Sequence, residues 1–127
     1  MSLKGSKVNA IIAVSDIDRA REFYEGKLGL EAGPTEPDGG HRYACGDGTE
    51  VHVYPSPHAG KATATVACWG VGDIDQEVSD LSAKGVEFEK YDSPPLVTDD
   101  RGIAEFGGDR GAWFLDPDGN TLALLEV

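Results

Sequence analysis

At 127 residues the chain is the size of one compact domain, and two independently folding cores of half that length would each be marginal. Its 23 acidic residues against 11 basic ones give a formal charge of −12. Such a surface repels nucleic-acid backbones and anionic bilayers, so neither is an expected partner, whereas a cationic ligand would be attracted. No apolar run approaches the roughly 20 residues that span a bilayer, and the start shows no secretory pattern. Cys45 and Cys68, with no CxxC pair, are too few for a disulfide scaffold or a zinc cluster. The expectation is a cytoplasmic protein with buried free thiols, and Met1-Ser2-Leu3 is given no structural weight.

Lys7 to Val14 reads as a strand of apolar and β-branched residues. A helix follows. Ser15 or Asp16 can cap it, Ile17, Ala20, Tyr24 and Leu28 recur at helical spacing, and Gly29 suits the left-handed position after the last turn. Short strands are predicted at Leu30 to Ala32, His41 to Cys45 and Thr49 to Tyr54. They are separated by the turn-forming stretches Gly33 to Gly40 and Gly46-Asp47-Gly48. Pro55 and Pro57 end this first module, because proline cannot donate to a sheet ladder.

The pattern then restarts. Ala62 to Val71 reads as a strand, and Asp73 with Gln76 has capping-box spacing at the start of a second helix. Its apolar stripe is Ile74, Val78 and Leu81, and Gly85 closes it. Strands at Val86 to Tyr91, Gly111 to Asp116 and Thr121 to Glu126 complete the module, the last two joined by the turn Asp116-Pro117-Asp118-Gly119-Asn120. Val14-Ser15-Asp16-Ile17-Asp18 and Val71-Gly72-Asp73-Ile74-Asp75 align as an internal repeat. The prediction is a single α+β domain over 1–127 built from two βαβββ modules, 7–54 and 62–126, whose strongly curved mixed sheet surrounds a cleft. The segment Asp92 to Arg110 is expected to be a long loop of the lid or binding type, with Arg101 and Arg110 able to grip a carboxylate or to pair with the neighbouring Asp99 and Asp109.

The run from Val14 to Tyr24, followed by Leu28-Gly29-Leu30, resembles the first module of glyoxalase, bleomycin-resistance and extradiol-dioxygenase proteins, the vicinal oxygen chelate superfamily. Trp113-Phe114-Leu115-Asp116-Pro117-Asp118-Gly119-Asn120 resembles the last hairpin of the same superfamily. The resemblance covers nearly the whole chain. It implies a divalent metal held by His, Glu or Gln side chains at four strand positions, which fall here on Asn9, His52 (or Glu50 if the register slips by two), Val66 and Ala123. Val66 and Ala123 carry no donor, Asn9 offers a neutral amide oxygen, and His52 alone is a good ligand. A catalytic site of this kind takes about three protein ligands. His41 and His58 are placed near loops, and Glu126 has the wrong strand parity to replace Ala123.

Glu50, His52 and Tyr54 alternate with Val51 and Val53, so the three share one strand face. Together with Asn9 and Trp113, which the resemblance places at the site, Glu50, His52 and Tyr54 are the candidate ligand-binding residues. Trp113 offers a ring for a planar or cationic ligand, His52 is the best candidate for acid–base chemistry, and Trp69 is expected to pack under a helix. The leading expectation is a homodimer that binds a small organic molecule, cationic or aromatic, in its cleft with no metal or other cofactor. The alternative is a metal-dependent lyase, isomerase or dioxygenase with an atypical ligand set that includes His52 and Glu50. A metal-free enzyme working through His52 is a third reading, which the sequence leaves open.

Overall fold

A computed structural model describes residues 3–127, so Met1 and Ser2 lie outside the described residues. The chain divides into two compact units, Met1–Lys61 and Ala62–Val127. Each holds one four-stranded mixed sheet and one principal helical segment.

In the first unit, β1 (Ala10–Val14) leads into α1 (Ile17–Arg21), which runs on as a π-helical stretch, Glu22–Lys27. Asp16 is the cap: its carboxylate accepts from the N–H groups of Asp18 and Arg19, a contact worth about 1 kcal/mol. The widened turn ends where Leu28 N–H donates to the Phe23 carbonyl, and Gly29 (φ 74°) turns the chain out. Leu30 N–H is still taken by the Tyr24 carbonyl, so the next strand starts later than predicted. It is β2, Ala32–Thr35, and it includes Gly33 and Pro34 of the expected turn. β3 (His41–Ala44) and β4 (Glu50–Pro55) follow, in the order β1-β4-β3-β2, with β1 and β4 parallel. β1 is shorter than the predicted 7–14 because its first partner residue is Val51, one position into β4.

Strand alternation sends Ile12, Val14, Val51 and Val53 to the helix side, where all are buried. Full burial of each such side chain stabilises by roughly 1.5–3 kcal/mol. Tyr24 and Tyr43 stack there with ring centroids 6.1 Å apart, and the Tyr43 hydroxyl donates to Glu25 Oε2 at 2.9 Å. Burial, reinforced by the Glu25 carboxylate, raises the Tyr43 hydroxyl pKa well above its ordinary value. His41 opens β3, as the predicted strand has it, and lies on this buried side with its Nδ1 3.2 Å from the Gly33 carbonyl. His58 is in an exposed turn.

The second unit repeats the scheme with β5 (Thr65–Val71), α2 (Ile74–Ala83) and three later strands. Asp73 accepts from Gln76 N–H, but the Gln76 amide turns away to Asp80, so only half of the capping box forms. The expected strand at Val86 to Tyr91 is not one. Val86 and Phe88 are buried on alternate positions, yet only Phe88 makes a bridge, to Phe114. Alternating burial reported a side chain's surroundings, not a backbone partner. The third strand of the module comes instead from the segment read as a loop. There Asp92–Ser93 (β6) and Leu96–Val97 (β7) form a small ribbon, and β8 (Ile103–Phe106) turns through Gly107-Gly108 into β9 (Asp109–Leu115). Gly102 is needed just before β8: its φ is +92°, and a Cβ there would meet the Phe88 Cβ at 2.7 Å. β10 (Thr121–Glu126) completes the order β5-β10-β9-β8, again with first and last strands parallel. The β9–β10 turn is as predicted. The buried Asp116 accepts from Asp118 N–H, Asn120 N–H and the Asn120 side-chain amide, and Gly119 takes φ +85°.

α2 lies over the face bearing Ala112, Phe114, Leu122 and Leu124. At its start, Asp75 is gripped by Arg110 (2.9 Å) and Arg101 (2.6 Å). Arg101 also reaches Asp99, as expected, whereas Arg110 lies 3.6 Å from Glu126 and 3.7 Å from Glu105 instead of pairing with Asp109. Trp69 shares this face, in register with Leu124. Arg110, and after it Arg101, hold the Asp75 carboxyl at about 2, below the ordinary aspartate value. A depressed folded-state value contributes stability above the unfolded value, near 4, that is lost as pH falls through about 2. Asp75→Asn should therefore lower the melting temperature by a few degrees at neutral pH. In thermal melts the gap from the parent protein should close as the pH is taken down towards about 2.

Candidate functional site

Each sheet has a second face, opposite its helix, and the two faces differ in chemistry. In the first unit that face is polar. Ile11, His52 and Arg42 lie side by side across β1, β4 and β3, with Ala13 beside Tyr54 and Ala44 beside Glu50. The predicted grouping of Glu50, His52 and Tyr54 on one strand face is therefore what the register gives. Asn9, one residue before β1, has a buried Oδ1 with no hydrogen-bond partner among the described residues. Glu50 lies 3.9 Å from Arg42, whose Nε donates to Glu36 at 3.1 Å. The His52 and Tyr54 rings are 6.0 Å apart.

His52 has a neighbour that the sequence did not point out. Its Nε2 is 3.0 Å from Asp38 Oδ2, and its side chain is only 15% exposed. The carboxylate stands off the N–H axis, so the contact is a close electrostatic pair more than an aligned hydrogen bond. Asp38 is placed by the β2–β3 turn. Glu36 N–H donates to the Gly40 carbonyl, Gly39 N–H to the Glu36 carbonyl, and Gly40 N–H to Asp38 Oδ1 at 2.8 Å. The Gly40 bond, followed by His52, lowers the Asp38 pKa. The turn lies flat on β4, since a Cβ on Gly40 would fall 2.2 Å from the Val53 carbonyl oxygen and 2.7 Å from the Tyr54 Cα.

The corresponding face of the second unit is apolar and aromatic. Trp113 is partly exposed, and the Tyr91 and Phe106 rings each pack against it at a centroid distance of 5.9 Å. Gly111 lies beneath: a Cβ there would be 3.2 Å from the Trp113 ring and 3.3 Å from the Phe106 ring. Two rings leaning over a strand glycine cover backbone that would otherwise be bare. Ala123 lies in register between Trp113 and Cys68 and is 4% exposed. The expectation of buried thiols is corrected here: Cys68 is exposed on the face opposite α2, and Cys45 is partly exposed one residue past the end of β3. Partial burial of the Cys68 sulfur still raises its pKa, which disfavours a reactive thiolate.

The donor set does not fit a catalytic divalent ion. Ala123 presents a buried methyl group, and Val66 falls at the register shift between β5 and β10 with no donor atom. Glu50 faces Arg42, and His52 faces Asp38. Glu126 lies on the opposite side of its sheet from Ala123, accepting from Ile74 N–H at the start of α2. Asp73, Asp75 and Glu126 do come within 4.8 Å of one another, but each already serves a helix N–H or an arginine.

Two four-stranded mixed sheets, each the product of a βαβββ unit and each with one face that its own helix does not cover, define an α+β protein made of repeated modules. The profile of the Glyoxalase/Bleomycin resistance protein/Dioxygenase superfamily matches residues 7–124, and the chain belongs to that superfamily. It is 29% identical to the uncharacterized protein YwkD of Bacillus subtilis (strain 168), over 99% of both chains. Among solved structures it is similar to a glyoxalase / bleomycin resistance protein from Catenulispora acidiphila DSM 44928, with 29% identity, 95% and 97% of the two chains covered and a TM-score of 0.69. TnmS3, an antibiotic binding protein from Streptomyces sp. CB03234, shares the fold at 24% identity, 95% of each chain and a TM-score of 0.70.

The seated turn can be tested directly. Gly40→Ala forces the turn off β4 and should cost about 3 kcal/mol, as overpacking against fixed backbone does. Urea unfolding would measure the loss, and Gly39→Ala, at φ +88° with its nearest neighbour 3.5 Å away, separates backbone strain from this steric clash.

Proposed function

We propose that this protein binds a small organic molecule carrying a planar ring, without a metal, and that Trp113 is the principal contact. The observation that carries this reading is the Tyr91–Trp113–Phe106 group, three rings on a sheet face that no helix of its own unit covers. Aromatic rings attract planar and cationic ligands by stacking and by the negative charge of the ring face, at about 0.5–2 kcal/mol per contact. The net charge of −12 favours a neutral or cationic ligand over an anionic one. Asn9, Glu50, His52 and Tyr54, on the polar face of the first unit, are hydrogen-bonding groups that form a separate candidate surface and are not needed for this contact. The likeness in fold to TnmS3, whose description is antibiotic binding, is compatible with sequestration of such a compound.

The test is a fluorescence titration with a panel of planar, neutral and cationic drugs, since an indole in contact with a ring is quenched. Trp113→Ala should weaken binding at least tenfold, whereas Trp69→Phe, on the helix side, should leave it unchanged. Elemental analysis of protein purified without chelator should give far less than one equivalent of zinc, nickel or iron. Stoichiometric metal, lost on His52→Ala, would replace this reading with a metal-dependent lyase, isomerase or dioxygenase.

A further inference from the structure

The geometry points to His52 and Asp38 as a metal-free proton-transfer pair on the polar face of the first unit, with His52 Nδ1 as the base and Asp38 as its positioning residue. Asp38 places a carboxylate 3.0 Å from the buried Nε2, off the N–H axis, and its negative charge favours the tautomer with the ring proton on that nitrogen. The other nitrogen, Nδ1, then carries a lone pair, and it has no hydrogen-bond partner among the described residues. Asp38 is itself fixed, one oxygen on Gly40 N–H and the turn seated on β4, so this arrangement is built before any ligand arrives. Only the proton's arrival on Nδ1 changes the charge, and the imidazolium formed stands against a carboxylate that stays ionised.

The neighbouring groups decide what the pair would act on. Ile11, 61% exposed, lies on one side of His52, and Tyr54 follows along β4. Arg42 lies on the other side, but Glu36 and Glu50 are against its guanidinium, and Asp38 adds a third carboxylate. The ionised carboxylates outnumber the cation, so an anionic substrate is disfavoured. The fit is a neutral, planar compound whose apolar part rests on Ile11 and whose acidified C–H or O–H reaches Nδ1. This function is separate from the stacking proposed for Trp113 and rests on different residues.

A nitrobenzisoxazole is a suitable probe because it is neutral and planar and needs only a base. Its ring C–H proton passes to Nδ1, the C–H electron pair forms the third C–N bond of a nitrile, and the N–O bond breaks to release a coloured phenolate. The proton then leaves the imidazolium for solvent. With EDTA present, the protein should exceed free imidazole at equal concentration, His52→Gln should lower kcat/KM by about a hundredfold, and Asp38→Asn should lower it by less. Nitrogen-detected NMR of the unmodified protein should place the neutral His52 proton on Nε2, with Asp38→Asn mixing the tautomers. The proposal is overturned if His52→Gln retains full elimination activity, if the activity vanishes in EDTA, or if the unmodified protein carries the proton on Nδ1. The NMR measurement decides even if a variant fails to fold. Quenching of Trp113 by a drug should be the same in His52→Gln, so failure here and failure of the binding reading are told apart.

Discussion

In each unit the first and last strands run parallel and adjacent, β1 with β4 and β5 with β10, and everything else follows from that pairing. A parallel pair needs a crossover between its strands, and in both units the helical segment lies within it. The helix can cover one face of its sheet only. The strands' period of two then sorts side chains into a helix-covered set, Val51 and Val53 or Leu122 and Leu124, and a set facing the other way.

What the two units do with that second face differs, although their topology is the same. On the first, polar side chains alternate with the buried valines of β4, and a turn without room for a Cβ at Gly40 places Asp38 on His52. On the second, Gly111 leaves space that Trp113 and Phe106 fill, and the positions beside them carry a methyl group, an isobutyl group and a thiol. Repetition of a fold therefore did not repeat a site. The consequence for metal chemistry is direct: donors stand on one module, while the matching positions of the other hold Val66 and Ala123.

Helix starts also carry charge that is not available for ligands. Asp16 and Asp73 satisfy backbone donors of α1 and α2, and Asp75 is held by two arginines from the segment that the sequence presented as a long loop. Those arginines do grip a carboxylate, as their chemistry allows, but it belongs to the protein. The loop is ordered by that contact together with β8, whose backbone pairs with β9.

The sequence alone was sufficient for the internal repeat, the helix caps, the Asp116–Asn120 turn and the shared face of Glu50, His52 and Tyr54. All of these are local: a cap, a turn or an alternation is set within a few residues. The π-helical stretch, the replacement of the 86–91 strand by β8, the burial of His41 and the contact of Asp38 with His52 were settled only by tertiary structure. Each depends on which backbone lies beside which, as Phe88 shows, buried like a strand residue yet bridged at a single position. Residues 14 positions apart, such as Asp38 and His52, meet because a turn packs on a strand, and no periodicity along the chain encodes that distance.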